Sequence, residues 1–418
     1  MVCNYESLSI ISNMNNTLIV NSDKSNCDLI AKKESSIILN DYFNTYVINV
    51  KNSEDLCNII KDKIVLQKIK NLEGNVLDLK STITSDAIEA MCNVKSSILD
   101  NLNANYDDNF LLNLAIEEKC ISKIHYKNGI GLSHIREVYY VMSYSIYNEL
   151  KLIASEFMVS DSFSDLLDKI SNTILAEAKW NSLEKEKVVY SSDYTLVFKN
   201  KASGILFHEC IGHFLEADHF HNSPIRLLKD KRLFSDNITI YENYNDLRKV
   251  DDENSFVNDS LMLINNGVIE NVLCNKYLSL THNIKATGNA ITENPQIAPK
   301  IRMTNMLVKP GTVDLDTKLK AIEKGIYIEE ISLGEVDVYS GSFSILVSKA
   351  YKLLNGKVLN PVDEFTLSFN IRDLIQFNID VCNDILSQAN LCGKLGAVVK
   401  VNYSSPSIII NTLSGKVL

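Results

Sequence analysis

His208-Glu209-Cys210-Ile211-Gly212-His213 is the stretch on which the reading of this chain turns. An apolar entry, Gly204-Ile205-Leu206-Phe207, precedes it, and before that comes a strand-like run, Tyr194-Thr195-Leu196-Val197-Phe198. The pattern predicts a strand, a short turn, and then a helix that carries the hexad. Two imidazoles and a carboxylate this close are donor types suited to a divalent metal. The spacing is unusual. In the common H-E-x-x-H arrangement the histidines are four residues apart, and ~40° apart around an α-helix. Here the pattern is H-E-x-x-x-H. Positions i and i+5 lie ~140° apart, so a regular helix would splay the two rings. A π-type turn repeats at i+5 and restores a shared face. Gly212 weakens the helix where that distortion is needed.

The chain has only seven histidines, and four of them, His208, His213, His219 and His221, fall within fourteen residues. An isolated His-Glu pair is common in helices, so this concentration and the rigid apolar entry are what raise the hexad above chance. Two neutral imidazoles bind zinc at ~2.0 Å and leave room for a third protein ligand and a water. Zinc held in this way acidifies water and polarises a carbonyl. Glu209, beside the first ligand, is placed to accept the water's proton and pass it to a leaving amine. The expected activity is zinc-dependent peptide-bond hydrolysis.

Composition sets the outer limits. At 418 residues, 45% of them hydrophobic, the chain is too long for one ordinary domain. Its formal net charge is −10, with a pI of about 5.3 and no basic run or stripe, so nucleic acid is not an expected partner. No uninterrupted apolar run approaches the ~18 residues of a membrane helix, and the start, Met1-Val2-Cys3-Asn4-Tyr5-Glu6, does not read as a signal peptide. A cytoplasmic protein without membrane partners is expected. The nine cysteines are scattered singly, which reads as reduced thiols, most of them buried.

The fold class read from the sequence is α+β, in three parts. Residues 1–80 form a small N-terminal α/β part, with strands near 17–20, 36–39 and 45–50 and a helix near 53–64. Residues 81–187 form a middle strand-and-helix part, with helices near 84–105 and 163–180 and a hairpin at Lys127-Asn128-Gly129. Residues 188–418 form the β-rich C-terminal metallopeptidase domain, with the zinc motif on a helix. In that domain hairpins are expected at Asn265-Asn266-Gly267 and Asn355-Gly356, strands at 302–309 and 325–331, and a helix at 316–324. The polar segment 181–187 is the candidate linker.

The segment Gly204 to Asp218 resembles the G-[VI]-L-x-H-E-x-x-G-H-x-[LF]-E-x-D signature of the TldD/PmbA metallopeptidases. Further segments agree in order: Arg302-Met303-Thr304-Asn305 with Pro310-Gly311, Gly325-Ile326-Tyr327, Gly334-Glu335-Val336-Asp337, Ser340-Gly341-Ser342-Phe343, and Leu391-Cys392-Gly393-Lys394. The resemblance spans most of residues 190–415. It implies zinc held by His208, His213 and Cys392, with Glu209 as general base. The plain alternative for Cys392 is a buried free thiol. Cys210 matches a variable position and reads as core. Glu216, three residues past His213, either orients an imidazole from behind or is a solvated helix carboxylate. His219 and His221 match nothing in the signature, and a surface loop is expected for both. After Cys392-Gly393-Lys394, the apolar Leu395-Gly396-Ala397-Val398-Val399 replaces the family's usual polar, glycine-rich tail, a difference that bears on substrate preference.

The resemblance also implies an unstructured or modified precursor peptide as substrate, and a homodimer or a heterodimer with a PmbA/TldE-like subunit. An extended peptide is expected to add to a sheet edge. The alternative from another class is a non-catalytic scaffold or partner subunit of a TldD/PmbA-type complex. Retention of His208, Glu209, His213 and Cys392 together speaks against it.

Overall fold

A computed structural model describes residues 7–20, 27–40, 45–49, 83–106, 110–127, 130–148, 151–187 and 194–411, the last span apart from 230, 235–237, 245–247, 258 and 374–376. The fold is α+β and strand-rich. Its first sheet has six antiparallel strands: β1 (Ser7–Val20), β2 (Cys27–Asn40), β3 (Thr45–Asn49), β4 (Phe110–Lys127), β5 (Ile130–Asn148) and β6 (Lys151–Ser160), in the order β3-β2-β1-β4-β5-β6. The sheet runs across residue 80. β1 pairs with β4 from Ser7↔Lys127 to Val20↔Leu114, so the expected break there does not separate two sheets. The helix expected near 53–64 lies outside the described residues.

Two helices, α1 (Ser85–Tyr106) and α2 (Phe163–Ser182), cover one face of this sheet. The two periodicities meet in one core. Met91, Ile98 and Leu102, and Leu166, Ile170 and Ile174, recur at helical spacing. They pack on Leu112, Leu114, Ile116, Met142, Tyr144 and Ile146, which alternate along β4 and β5. Ser162 caps α2 by accepting from the Asp165 amide at 3.2 Å.

The rest of the chain builds two larger sheets. One holds β7 (Thr195–Phe198), β14 (Lys324–Asp337), β15 (Ser342–Leu354), β16 (Lys357–Val362), β17 (Phe365–Asn370), β18 (Asn378–Val381) and β21 (Ile408–Asn411). The other has the order β10-β9-β8-β13-β20-β19, from β8 (Ile240–Asn243), β9 (Ser260–Asn265), β10 (Val268–Ile269), β13 (Asn305–Val308), β19 (Leu386–Lys394) and β20 (Ala397–Ser405). A small ladder joins β11 (Ala290–Ile291) to β12 (Lys300–Ile301). Helix α3 (Asn200–Phe207) leaves β7 and packs between β14 and β20. Gly204 permits this approach, because a Cβ there would stand 2.4 Å from the Tyr403 ring.

The two asparagine-glycine hairpins expected in the C-terminal part form, with positive φ at Asn266 and Gly267 and at Asn355 and Gly356; at the third, β4 and β5 pair up to Lys127↔Ile130, and Asn128 and Gly129 lie outside the described residues. The helix expected over 316–324 is shorter, Leu315–Leu319. The amides of Asn355 and Gly356 bond the carbonyls of Glu323 and Ile322, so the hairpin draws that backbone into the turn before β14. No described helix is long and apolar enough to cross a membrane.

The β19–β20 hairpin turns through Leu395 (φ 50°) and Gly396 (φ 80°), and Leu395 is 74% exposed. A branched side chain in the left-handed region is unfavourable, and this one gains no burial in return. Leu395→Asn is therefore expected to raise the unfolding free energy by about 1 kcal/mol, seen as a higher denaturant midpoint. An unchanged or lower midpoint would mean that Leu395 has a compensating contact.

Candidate metal centre

The hexad does not continue α3 as a regular helix. His208–Gly212 is a π turn closed by the His213 amide on the His208 carbonyl, and a 3₁₀ turn, His213–Leu215, follows. This is the i+5 repeat that the spacing requires. The two ring centroids lie 4.9 Å apart, nearly perpendicular. Gly212 itself has ordinary right-handed helical angles, so its contribution is not conformational freedom. It clears space: a Cβ there would fall 1.8 Å from Met303 Sδ.

Cys392, on β19, completes the cluster from the far end of the chain. Its Sγ lies 3.2 Å from His208 Nε2 and 3.5 Å from His213 Nε2. All three side chains are buried, and their donor atoms lie within 4.8 Å of one another. Burial alone would push the Cys392 thiol up, but His208, with His213 adding to the pull, holds it down at about 5. Burial also opposes charge on His213, yet Glu216 outweighs it, with help from Cys392, and the ring's pKa stands well above its usual value. The same field that draws a proton between these atoms would draw a cation. Two ring nitrogens and a thiolate turned on one point are a donor set that fits zinc. Cys210, by contrast, lies in the apolar core, and burial raises its thiol well above the usual range.

Glu209 is mostly buried, with Oε2 3.8 Å from His213 Nε2. Gly334 makes room for it, since a Cβ there would stand 2.3 Å from Glu209 Cγ. Glu216 is not a solvated carboxylate. It is fully buried, and its Oε2 accepts from His213 Nδ1 at 3.2 Å and from Lys394 Nζ at 2.9 Å. Although burial opposes ionisation, His213 and Lys394 hold Glu216 well below the usual carboxylate range. His208 Nδ1 has no such partner among the described residues.

Of the two histidines expected in a surface loop, His219 is not in one, and His221 lies half-buried in the turn that follows the short helix. His219 belongs to the short helix Ala217–Phe220, and its Nδ1 lies 3.1 Å from the His213 carbonyl and 3.4 Å from Glu216. The buried turn beneath the centre pulls it inward. His221 stacks on His282 at 3.8 Å.

Three residues of the site carry no isolated sequence signal. Lys394 joins Glu216 to Asp218, at 2.9 and 2.8 Å. Arg302, 1% exposed, donates to the carbonyls of Cys392 and Ala397 and pins the β19–β20 hairpin. Tyr403 packs behind His208, its ring centroid 6.1 Å away. For Lys394 and Arg302 the available clue was their place in the Cys392-Gly393-Lys394 and Arg302-Met303-Thr304-Asn305 segments.

Residues 191–416 match the PmbA/TldA metallopeptidase C-terminal domain. A metalloprotease TldD homolog of Buchnera aphidicola is 30% identical over 259 residues, covering 59% of this chain and 53% of that protein. A zinc metalloprotease TldD homolog of Saccharolobus solfataricus is 25% identical over 232 residues, covering 53% and 51%. The matched region thus spans about half the length of these relatives. The crystal structure of TldE from Thermococcus kodakarensis shares the fold across 98% of this chain and 96% of its own, with a TM-score of 0.69 at 13% identity. From its matched C-terminal half and the motif that half carries, the chain belongs to the TldD/PmbA metallopeptidase family.

Proposed function

We propose that this chain is a zinc-dependent peptidase in which His208, His213 and Cys392 hold the metal and Glu209 is the general base. The observation that carries the reading is the convergence of two imidazole Nε2 atoms and one thiolate on a single buried point, with a carboxylate alongside. Bound there, zinc supplies Lewis acidity to a water and to the scissile carbonyl. The remaining work falls to the chain. Glu216 accepts from His213 Nδ1, which fixes the ring and leaves Nε2 free to ligate. Lys394 balances the buried Glu216 charge. The carboxylate of Glu209 accepts the proton of a water whose oxygen adds to the carbonyl carbon. As the C–N bond breaks, Glu209 returns that proton to the departing amine.

An extended peptide would lie along β19, the outermost strand of its sheet and the one that carries Cys392. Backbone pairing at such an edge tolerates many sequences, which suits an unstructured or modified precursor peptide. The assembly proposed is a pair, either with a second copy or with a TldE-like subunit. The fold likeness to a TldE favours one other reading, a non-catalytic partner subunit. The intact set of His208, Glu209, His213 and Cys392 favours the enzyme.

Two outcomes test this. Elemental analysis of protein purified without chelator should find about one zinc per chain. Cys392→Ala should lose it and Cys210→Ala should keep it. Equal zinc in both variants would make Cys392 a core thiol only, and a metal-free wild-type protein would favour the partner-subunit reading. Glu209→Gln should bind zinc normally yet lose roughly 10²–10⁴-fold in turnover of an unfolded peptide. Near-wild-type turnover in matched, metallated samples would mean that another group activates water.

A further inference from the structure

Between β6 of the first sheet and the β19–β20 hairpin lies a cavity of about 730 Å³, within the usual range of ligand pockets. Both β6 and β19 are outermost strands in their sheets. Tyr403 and Asn390 form part of the wall, hydrogen-bonded at 2.9 Å. Tyr403 packs against His208, and Asn390 precedes Cys392 by two residues on the same strand. The cavity therefore lies beside the candidate metal centre, where the neighbouring residues of a bound peptide would be held.

Its charge is unbalanced. Glu156 on β6 and Glu330 on β14 line it, and with Glu177 on α2 their carboxylate oxygens lie within 4.8 Å of one another. Lys349 on β15 bridges Glu177 and Glu330, and Lys201 on α3 pairs with Glu330. Three carboxylates thus face two ammonium groups, and among the described residues no ion pair is made by Glu156. A second observation points the same way. Tyr144 stands opposite Glu156 in the β5–β6 register, is 2% exposed, and its hydroxyl has no hydrogen-bond partner among the described residues. Facing residues of an antiparallel pair share one sheet face, so the Tyr144 side chain stands beside Glu156, and burial and then the charges of Glu156, Glu177 and Glu330 push its phenol up. A buried hydroxyl without a partner is costly.

We propose that this cavity receives a positively charged side chain of the substrate, a lysine or an arginine, with Glu156 as its counter-ion. The assignment rests on the peptidase reading above. An ammonium or guanidinium entering beside Glu156 supplies the missing charge and offers a hydrogen to the Tyr144 hydroxyl oxygen. A bare metal ion is disfavoured there, because Lys349 and Lys201 already stand among the carboxylates. Burial, then Glu330 and Glu177, push Glu156 up to about 7. The groups facing it are Tyr144, Glu177, Glu330, Lys349 and Lys201, with Lys169 and Asp161 exposed at the rim. In the free protein Glu156 is ionised above pH ~7 and neutral below it, so the cation should bind more weakly as pH falls through that value.

The test walks a single lysine along an otherwise neutral labelled peptide and pairs each peptide with its norleucine counterpart. Affinities are read by fluorescence anisotropy on zinc-loaded Glu209→Gln protein, which leaves the peptide uncut. At pH 8, one lysine position should bind roughly tenfold more tightly than norleucine, the scale of one charge-assisted hydrogen bond. Glu156→Gln should bring that ratio near one, and Glu156→Lys should invert it. With Glu156 unaltered, lowering the pH to 6 should shrink the ratio. Equal affinities at every position, or a lysine preference that survives both substitutions, would overturn the assignment. Turnover of the norleucine peptides by wild-type protein reports separately on hydrolysis: selective binding without turnover overturns the peptidase and keeps the cation pocket, and turnover without a lysine preference does the reverse.

Discussion

One backbone hydrogen bond, from the His213 amide to the His208 carbonyl, closes the turn that lets the two imidazoles share a side. Without that widened turn, five residues of regular helix would point the rings ~140° apart. π turns are rare, and packing maintains this one. Phe207, Ile211 and Phe214 are each at most 1% exposed around it, and Met303 fills the space that Gly212 leaves. Helix α3 is held between β14 and β20, with Gly204 pressed on Tyr403. This segment is thus clamped from two sheets, which is the support a rigid donor set needs.

Charge ties the second half of the site to the first. Cys392, His213, Glu216, Lys394 and Asp218 form a chain in which negative and positive groups alternate. Glu216 is fully buried, and an unpaired carboxylate there would be very costly. Lys394 removes that cost and, from two residues beyond Cys392, fixes the strand that brings the thiol in. Arg302 does the same from the other side by holding the Cys392 carbonyl. The metal-facing atoms and the residues behind them are therefore one cooperative unit.

What the sequence disclosed divides along the range of the interactions. The π turn followed from one inserted residue between His208 and His213, and the two hairpins from Asn-Gly pairs; these are local rules. The helices α1 and α2 were equally legible from their periodic apolar residues. Cys392 was found only through a resemblance, because 179 residues separate it from His213 and nothing local marks its thiol. Lys394 and Tyr403 escaped for the same reason: their roles are defined by the partners that the sheets bring to them. The 316–324 helix was read too long because a distant hairpin claims its last carbonyls. Joining β1–β3 to β4–β6 likewise required a pairing across about a hundred residues.

The claim on which the account stands is that one thiolate and two imidazoles form a single closed donor set. X-ray absorption at the zinc edge of the metal-loaded protein measures that set directly. The account predicts one sulfur at ~2.3 Å and two imidazole nitrogens at ~2.0–2.1 Å, with the sulfur lost in Cys392→Ala. A zinc shell of nitrogen and oxygen alone in the wild-type protein would contradict it.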